Sequence, residues 1–247
     1  MGKRVKNWYV LIPIILVIAL MPFATNSAEF AAQRQEMLQA IAASVRSSAG
    51  YTGRSELSPR VMQAMGAVPR EAFVLPAYRH RAYHNTPLPI AAGQTISQPL
   101  IVALMTDLLA PEPNDIILEV GTGSGYQAAV LAQLVKHVYS VEIIPELAAS
   151  ATAVLAELGY QNVTVRAGDG YAGWPEHAPF DGIIVTAAPE EIPPPLLRQL
   201  ATGGKLVIPV GKENGYQELL LVEVDEAGQI SRRSVLPVRF VPLTGEH

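Results

Sequence analysis

The stretch DIILEVGTGSGYQAAVLAQLV, Asp115 to Val135, decides the fold of this 247-residue chain. Its first six residues, 115–120, form a short apolar run that reads as a buried strand. Residues 124–135 favour a helix. Between them Gly121, Gly123 and Gly125 make a tight strand-to-helix turn. In an open α/β sheet, ligands sit beyond the carboxyl ends of the strands, at a turn of this kind.

The alternation continues downstream. HVYSVE (137–142) predicts a strand, and 145–159 a helix opened by Pro145. Three more strands are expected at 162–168, 180–187 and 205–211. Strands separated by helices imply a doubly wound, mostly parallel sheet with helices on both faces. ELLLVEV (218–224) and RRSVLPVRFVPL (232–243) have no helix between them and should pair antiparallel at an edge. Upstream, amphipathic spacing predicts a helix over 30–49. Ser58 and Pro59 open a second helix, with Gly66 as its stop. Proline punctuates 69–99, which reads as largely loop. The domain reading is therefore a helical and loop segment at 29–113 and a cofactor-binding core at 114–247.

Composition narrows the chemistry. With 18 basic and 22 acidic residues the net charge is -4, so no field draws the chain to nucleic acid. There are no cysteines, which removes disulfides and thiolate chemistry. His80, His84, His137, His177 and His247 form no zinc-like helical pair with an acid, and no metal is expected.

The N-terminus differs from the rest. Lys3, Arg4 and Lys6 precede an unbroken apolar run from Trp8 to Ala24, followed by small polar residues. At ~1.5 Å per residue the run spans roughly 25 Å, against a hydrocarbon core of ~30 Å. Residues 1–28 read as a signal peptide or membrane anchor, with membrane or export contact through residues 8–24.

The glycine spacing is G-x-G-x-G. A dinucleotide fingerprint needs G-x-G-x-x-G, and a triphosphate loop needs a Gly-Lys-Ser/Thr ending that is absent. Nicotinamide chemistry is thus disfavoured. Glu142 closes the second strand, where an acid can accept both ribose hydroxyls. Glu119 lies just before the loop, and Asp169 with Gly170 just after the third strand. Three acids would repel a pyrophosphate; they suit S-adenosylmethionine, which carries a sulfonium and an ammonium and no phosphate.

GQTISQP, Gly93 to Pro99, holds two hydroxyls and two amides but no base. A carboxylate acceptor needs none, being ionised at neutral pH. Ser97 reads as the N-cap of a following helix, whose unpaired amides would hold an anion beside Thr95.

The chain resembles the protein-L-isoaspartate O-methyltransferases through GQTISQP, ILEVGTGSGYQAAVLA, GDG, PFDGIIVTAAPEEIP and VRFVPL, over about Leu57 to Leu243. GQTISQP together with VTAAP is the specific part. The resemblance implies a class I methyltransferase, Rossmann-like fold with seven strands and an N-terminal helical extension. It implies methyl transfer from S-adenosylmethionine to isoaspartyl carboxylates of damaged proteins, with repair through a succinimide. Ser97 and Thr95 take the catalytic positions. Gln94, Glu119, Gly121, Gly123, Gly125, Glu142, Asp169, Gly170 and Thr244 take cofactor positions. A monomer is expected. Rival readings are a methyltransferase for another carboxylic acid and a non-catalytic module that recognises damaged proteins. The first 28 residues depart from the family: kinship implies the cytoplasm, whereas the apolar segment implies anchoring or export to the periplasm.

Overall fold

The computed structural model describes Gly2 and residues 23–245. Most of the segment expected to be a signal or anchor, 1–28, lies outside the described residues. Among those described, no helix is long and apolar enough to cross a membrane.

Helix α1 (Phe23–Thr52) extends past the expected 30–49 at both ends. Its residues Met37, Ile41 and Val45 recur every four positions and are all buried, the spacing of one helical face. That face packs on α2 (Pro59–Ala67), α3 (Pro99–Leu109) and the edge of the main sheet. Ser58 is the N-cap of α2 as expected, but its side chain caps nothing; its own amide donates to Asp107 Oδ1 at 2.7 Å. The 69–99 connection is more ordered than a loop. It folds as 3-10 turns at Arg70–Phe73 and Pro76–Arg81 and a two-stranded ribbon of β1 (Leu88–Pro89) and β2 (Thr95–Ile96).

The main sheet contains β3 (Ile116–Val120), β4 (His137–Glu142), β5 (Val163–Ala167), β6 (Phe180–Val185), β7 (Leu200–Gly211), β8 (Gln217–Val224) and β9 (Ile230–Val238). Its seven strands lie in the order β5-β4-β3-β6-β7-β8-β9. The first five in that order run parallel, and β8 and β9 add antiparallel at the edge. From β3 the chain winds one way through α4 (Tyr126–Ala132) and α5 (Pro145–Glu157); from β6 it winds the other. The reversal falls between β3 and β6, the switch point where such sheets bind ligands.

Strand residues alternate between two cores, as a period of two requires. Ile117, Ile184 and Val207 face the helical layer. Leu118, Val120, Ile183, Val185, Leu206 and Ile208 face the opposite side. That side is covered by 3-10 turns after β5 and by the short α6 (Pro194–Arg198), which patterning did not foresee. The last strand also stops earlier than expected. Beyond Val238 the chain leaves the sheet, because the Gln217 side chain replaces the ladder: its Oε1 accepts Phe240 N–H at 2.7 Å and its Nε2 donates to Phe240 O at 3.3 Å.

Candidate active site

At the switch point, the carboxyl ends of β3, β4 and β6 border a cleft of about 900 Å³ including its open mouth, the place where open α/β sheets bind their ligands. The β3–α4 turn forms its floor. Gly121 has φ +93°, and a Cβ there would lie 2.4 Å from Thr186 Oγ1. Only glycine fits, because the Thr186 hydroxyl occupies that space while donating to Gly121 O at 2.6 Å. Gly121 N–H donates to Val141 O at 2.8 Å, so the turn is tied to strands on both sides.

Glu142 ends β4 and lines the cleft. Its Oε2 accepts Gly123 N–H at 2.7 Å and its Oε1 accepts Ile144 N–H at 3.0 Å. Each carboxylate oxygen can accept more than one hydrogen bond, so both keep capacity for hydroxyl donors from a ligand.

Gly121, Gly123, Gly170, Gln94, Thr95, Ser97 and Thr244 also line the cleft, as expected. Glu119, Gly125 and Asp169 do not. Glu119 is fully buried under the turn. Ser140 hydrogen-bonds to its carboxyl, and Thr122 Oγ1 lies 2.6 Å from Ser140 Oγ. Burial pushes the Glu119 carboxyl up to about 8; the Ser140 bond opposes this shift and the charge of Glu142 adds to it. It therefore braces the turn from below as a largely neutral acid. Gly125 is the N-cap of α4, where a Cβ would press on Leu155 at 3.3 Å. Asp169 caps the next 3-10 turn, accepting Tyr171 N–H at 2.9 Å. Of the three acids, Glu142 alone lines the cleft.

The reaction loop also needs correction. Pro99 is the first residue of α3, so Gln98 and not Ser97 is its N-cap, with no side-chain cap bond. The first-turn amides are not free either. Leu100 N–H donates to Asn85 Oδ1 at 2.9 Å, and Ile101 and Val102 N–H both donate to Gln98 O. Proline has no N–H. The first turn therefore has no amide left for an anion. The Thr95 and Ser97 hydroxyls, by contrast, carry no hydrogen bond to a described residue.

A model of the protein-L-isoaspartate(D-aspartate) O-methyltransferase family matches residues 51–247. The chain belongs to that family. It is 55% identical over 94% of its length to protein-L-isoaspartate O-methyltransferase 2 of Syntrophobacter fumaroxidans, covering 96% of that protein. It is 54% identical over 96% of its length to protein-L-isoaspartate O-methyltransferase 1 of Cupriavidus necator, covering 93% of it. Among solved structures, a protein-L-isoaspartate O-methyltransferase superposes with TM-score 0.73 at 27% identity, over 86% of this chain and 66% of the other. A Plasmodium falciparum structure described as a complex with S-adenosyl-L-homocysteine gives 0.65 at 26% identity, over 76% and 91%.

Three supports complete the site of this methyltransferase family member. Asn85 caps α3 from a distance and also accepts Gln98 Nε2 on its carbonyl at 2.9 Å. The C-terminal tail crosses the cleft, where Val241, Pro242, Leu243 and Thr244 form part of its wall. It is held by Ala188 in VTAAP, which accepts Leu243 N–H at 2.9 Å and donates to Val241 O at 2.8 Å. Arg70, which opens the 3-10 turn Arg70–Phe73, is fully buried behind the reaction loop. Its Nε donates to Ala82 O at 2.8 Å and its Nη2 to Ser97 O at 2.7 Å, and the guanidinium lies 4.6 Å from the Tyr126 ring centroid.

Proposed function

We propose that this chain transfers a methyl group from S-adenosylmethionine to the carboxylate of L-isoaspartyl residues in damaged proteins, the step that opens repair through a succinimide. The observation that carries the reading is the cleft lining. Among the described residues it has one carboxylate, unengaged hydroxyls that include those of Thr95 and Ser97, no side chain able to act as a strong base, and no cationic side chain. A site without cations suits an adenosyl donor that lacks phosphate. A site without a base suits an acceptor already ionised.

Bound S-adenosylmethionine supplies an electrophilic methyl carbon on a sulfonium. The remaining work falls to the chain. Glu142, fixed by the Gly123 and Ile144 amides, receives the ribose hydroxyls. Gly121 and Gly123 let the ligand approach the backbone, and Gly170 with neighbouring Asp169 borders the adenine end. Thr95 and Ser97 donate to the acceptor carboxylate and aim one oxygen at the methyl carbon. In-line alignment of this kind accounts for much of the power of such reactions. Gln94 and the tail through Thr244 close the mouth and exclude water. The methyltransferase unit is residues 29–247, with its cofactor-binding core at 114–247.

Labelled methyl transfer to an isoaspartyl peptide, set against its normal aspartyl twin, tests the reading. The isoaspartyl peptide is expected to label and the twin not to; equal labelling removes the specificity.

A further inference from the structure

An anionic acceptor in this cleft has no cationic side chain on the wall to meet it, and the first turn of the helix behind the reaction loop has spent its amides. One cation lies just behind the wall. Arg70 is 0% exposed, and it forms no ion pair among the described residues. Two of its nitrogens hold backbone carbonyls, and Nη1 is buried without a hydrogen bond. A guanidinium does not deprotonate in proteins, and a buried charge without a counter-ion is costly. Such a charge gains whenever an anion arrives nearby. Its attachment point is the carbonyl of Ser97, and its stacking partner Tyr126 also lines the cleft.

Building on the carboxyl-methylation reading, we infer that Arg70 is a specificity-determining positioning residue: its uncompensated charge, held behind Ser97, makes the site select an ionised carboxylate and release the neutral ester. In the transfer a carboxylate oxygen bonds to the methyl carbon as the carbon–sulfur bond breaks. Sulfonium and carboxylate charges vanish together, and no proton moves. Before the step Arg70 faces an anion; afterwards it faces a neutral ester. The attraction that gathers substrate is therefore switched off by the chemistry itself, and product leaves a site that no longer holds it by charge.

The test compares an isoaspartyl peptide, as substrate, with its isoasparaginyl counterpart, a neutral isostere read as a competitive inhibitor. Wild type, Arg70→Met and Arg70→Lys are measured, with S-adenosylhomocysteine affinity by calorimetry as the check on an intact cleft. Wild type is expected to prefer the carboxylate. Arg70→Met should lower that preference by about tenfold or more, a range consistent with loss of one close charge, with S-adenosylhomocysteine affinity unchanged. Arg70→Lys should keep most of the preference while kcat falls, since one ammonium replaces a fork that holds two carbonyls. A preference unchanged in Arg70→Met, or affinities for both peptides weakened equally, overturns the inference. Should Arg70→Met fail to fold, Arg70→Lys decides: loss of preference in this folded variant overturns it, and retention supports it. Failure of carboxyl methylation itself shows separately, as wild type that does not label the isoaspartyl peptide.

Discussion

The Glu142 carboxylate accepts the Gly123 amide at 2.7 Å, so the acid that lines the cleft also sets the shape of the glycine turn. Glu142→Gln puts a donor where one of two backbone amides needs an acceptor. Hydrogen bonds to a charged group contribute ~1.5–3 kcal/mol. We expect S-adenosylhomocysteine to bind about 10- to 100-fold more weakly, measured by calorimetry, with little change in KM for the peptide. Unchanged affinity would remove Glu142 from the ligand site.

Glu119 gives the fold a pH dependence of definite sign. Its carboxyl is raised from 4.5 to about 8 in the folded chain, first by burial. Below pH 4.5 both folded and unfolded chains hold the proton. Between pH 4.5 and about 8 only the folded chain does, so this group's contribution to stability falls as pH rises through that window. Glu119→Gln is neutral throughout and keeps an acceptor for Ser140. The melting temperature of the variant, relative to wild type, should climb across the window and level off above it. A difference independent of pH contradicts the raised carboxyl.

Asn85→Ala removes the acceptor for Leu100 N–H. Loss of a cap costs about 1 kcal/mol, and denaturant unfolding should show a loss of that size. Gln98 would also lose its tether to Asn85 only if the backbone moves, since that bond goes to the main-chain oxygen. The kcat should therefore fall with S-adenosylhomocysteine affinity intact. Full activity with lowered stability would separate α3 from the reaction loop.

Gln217→Leu frees the Phe240 amide and carbonyl, and with them the start of the tail. Exchange of the Phe240 amide hydrogen should quicken by at least about tenfold, the scale of losing ~1.4 kcal/mol of local protection. The KM for peptide should rise more than that for the methyl donor. Unaltered exchange would show that the Ala188 pairing alone holds the tail.

The central sheet was legible because its signals are local. A six-residue apolar run, a glycine turn and an amphipathic helix each carry their own period, and β4 falls on the residues expected, His137–Glu142. What escaped is carried by single side chains reaching far along the sequence. Asn85 to Leu100 and Gln217 to Phe240 have no periodicity and no motif. Position alone sets Glu119 and Asp169 beside the glycine turn, whereas burial and a cap bond decide where their carboxyls point. Proline favours the first helical position, which makes Gln98 the cap, and glutamine is a poor one; the need for a distant partner was implicit in those two residues.

Because Asn85 seals the start of α3 from outside the reaction loop, the cap does not depend on any hydroxyl of that loop. Residues 94–97 can change their hydroxyls without uncapping the helix that follows. Acceptor preference in this scaffold is then open to redesign at Thr95 and Ser97, with the cap of the following helix left as it stands.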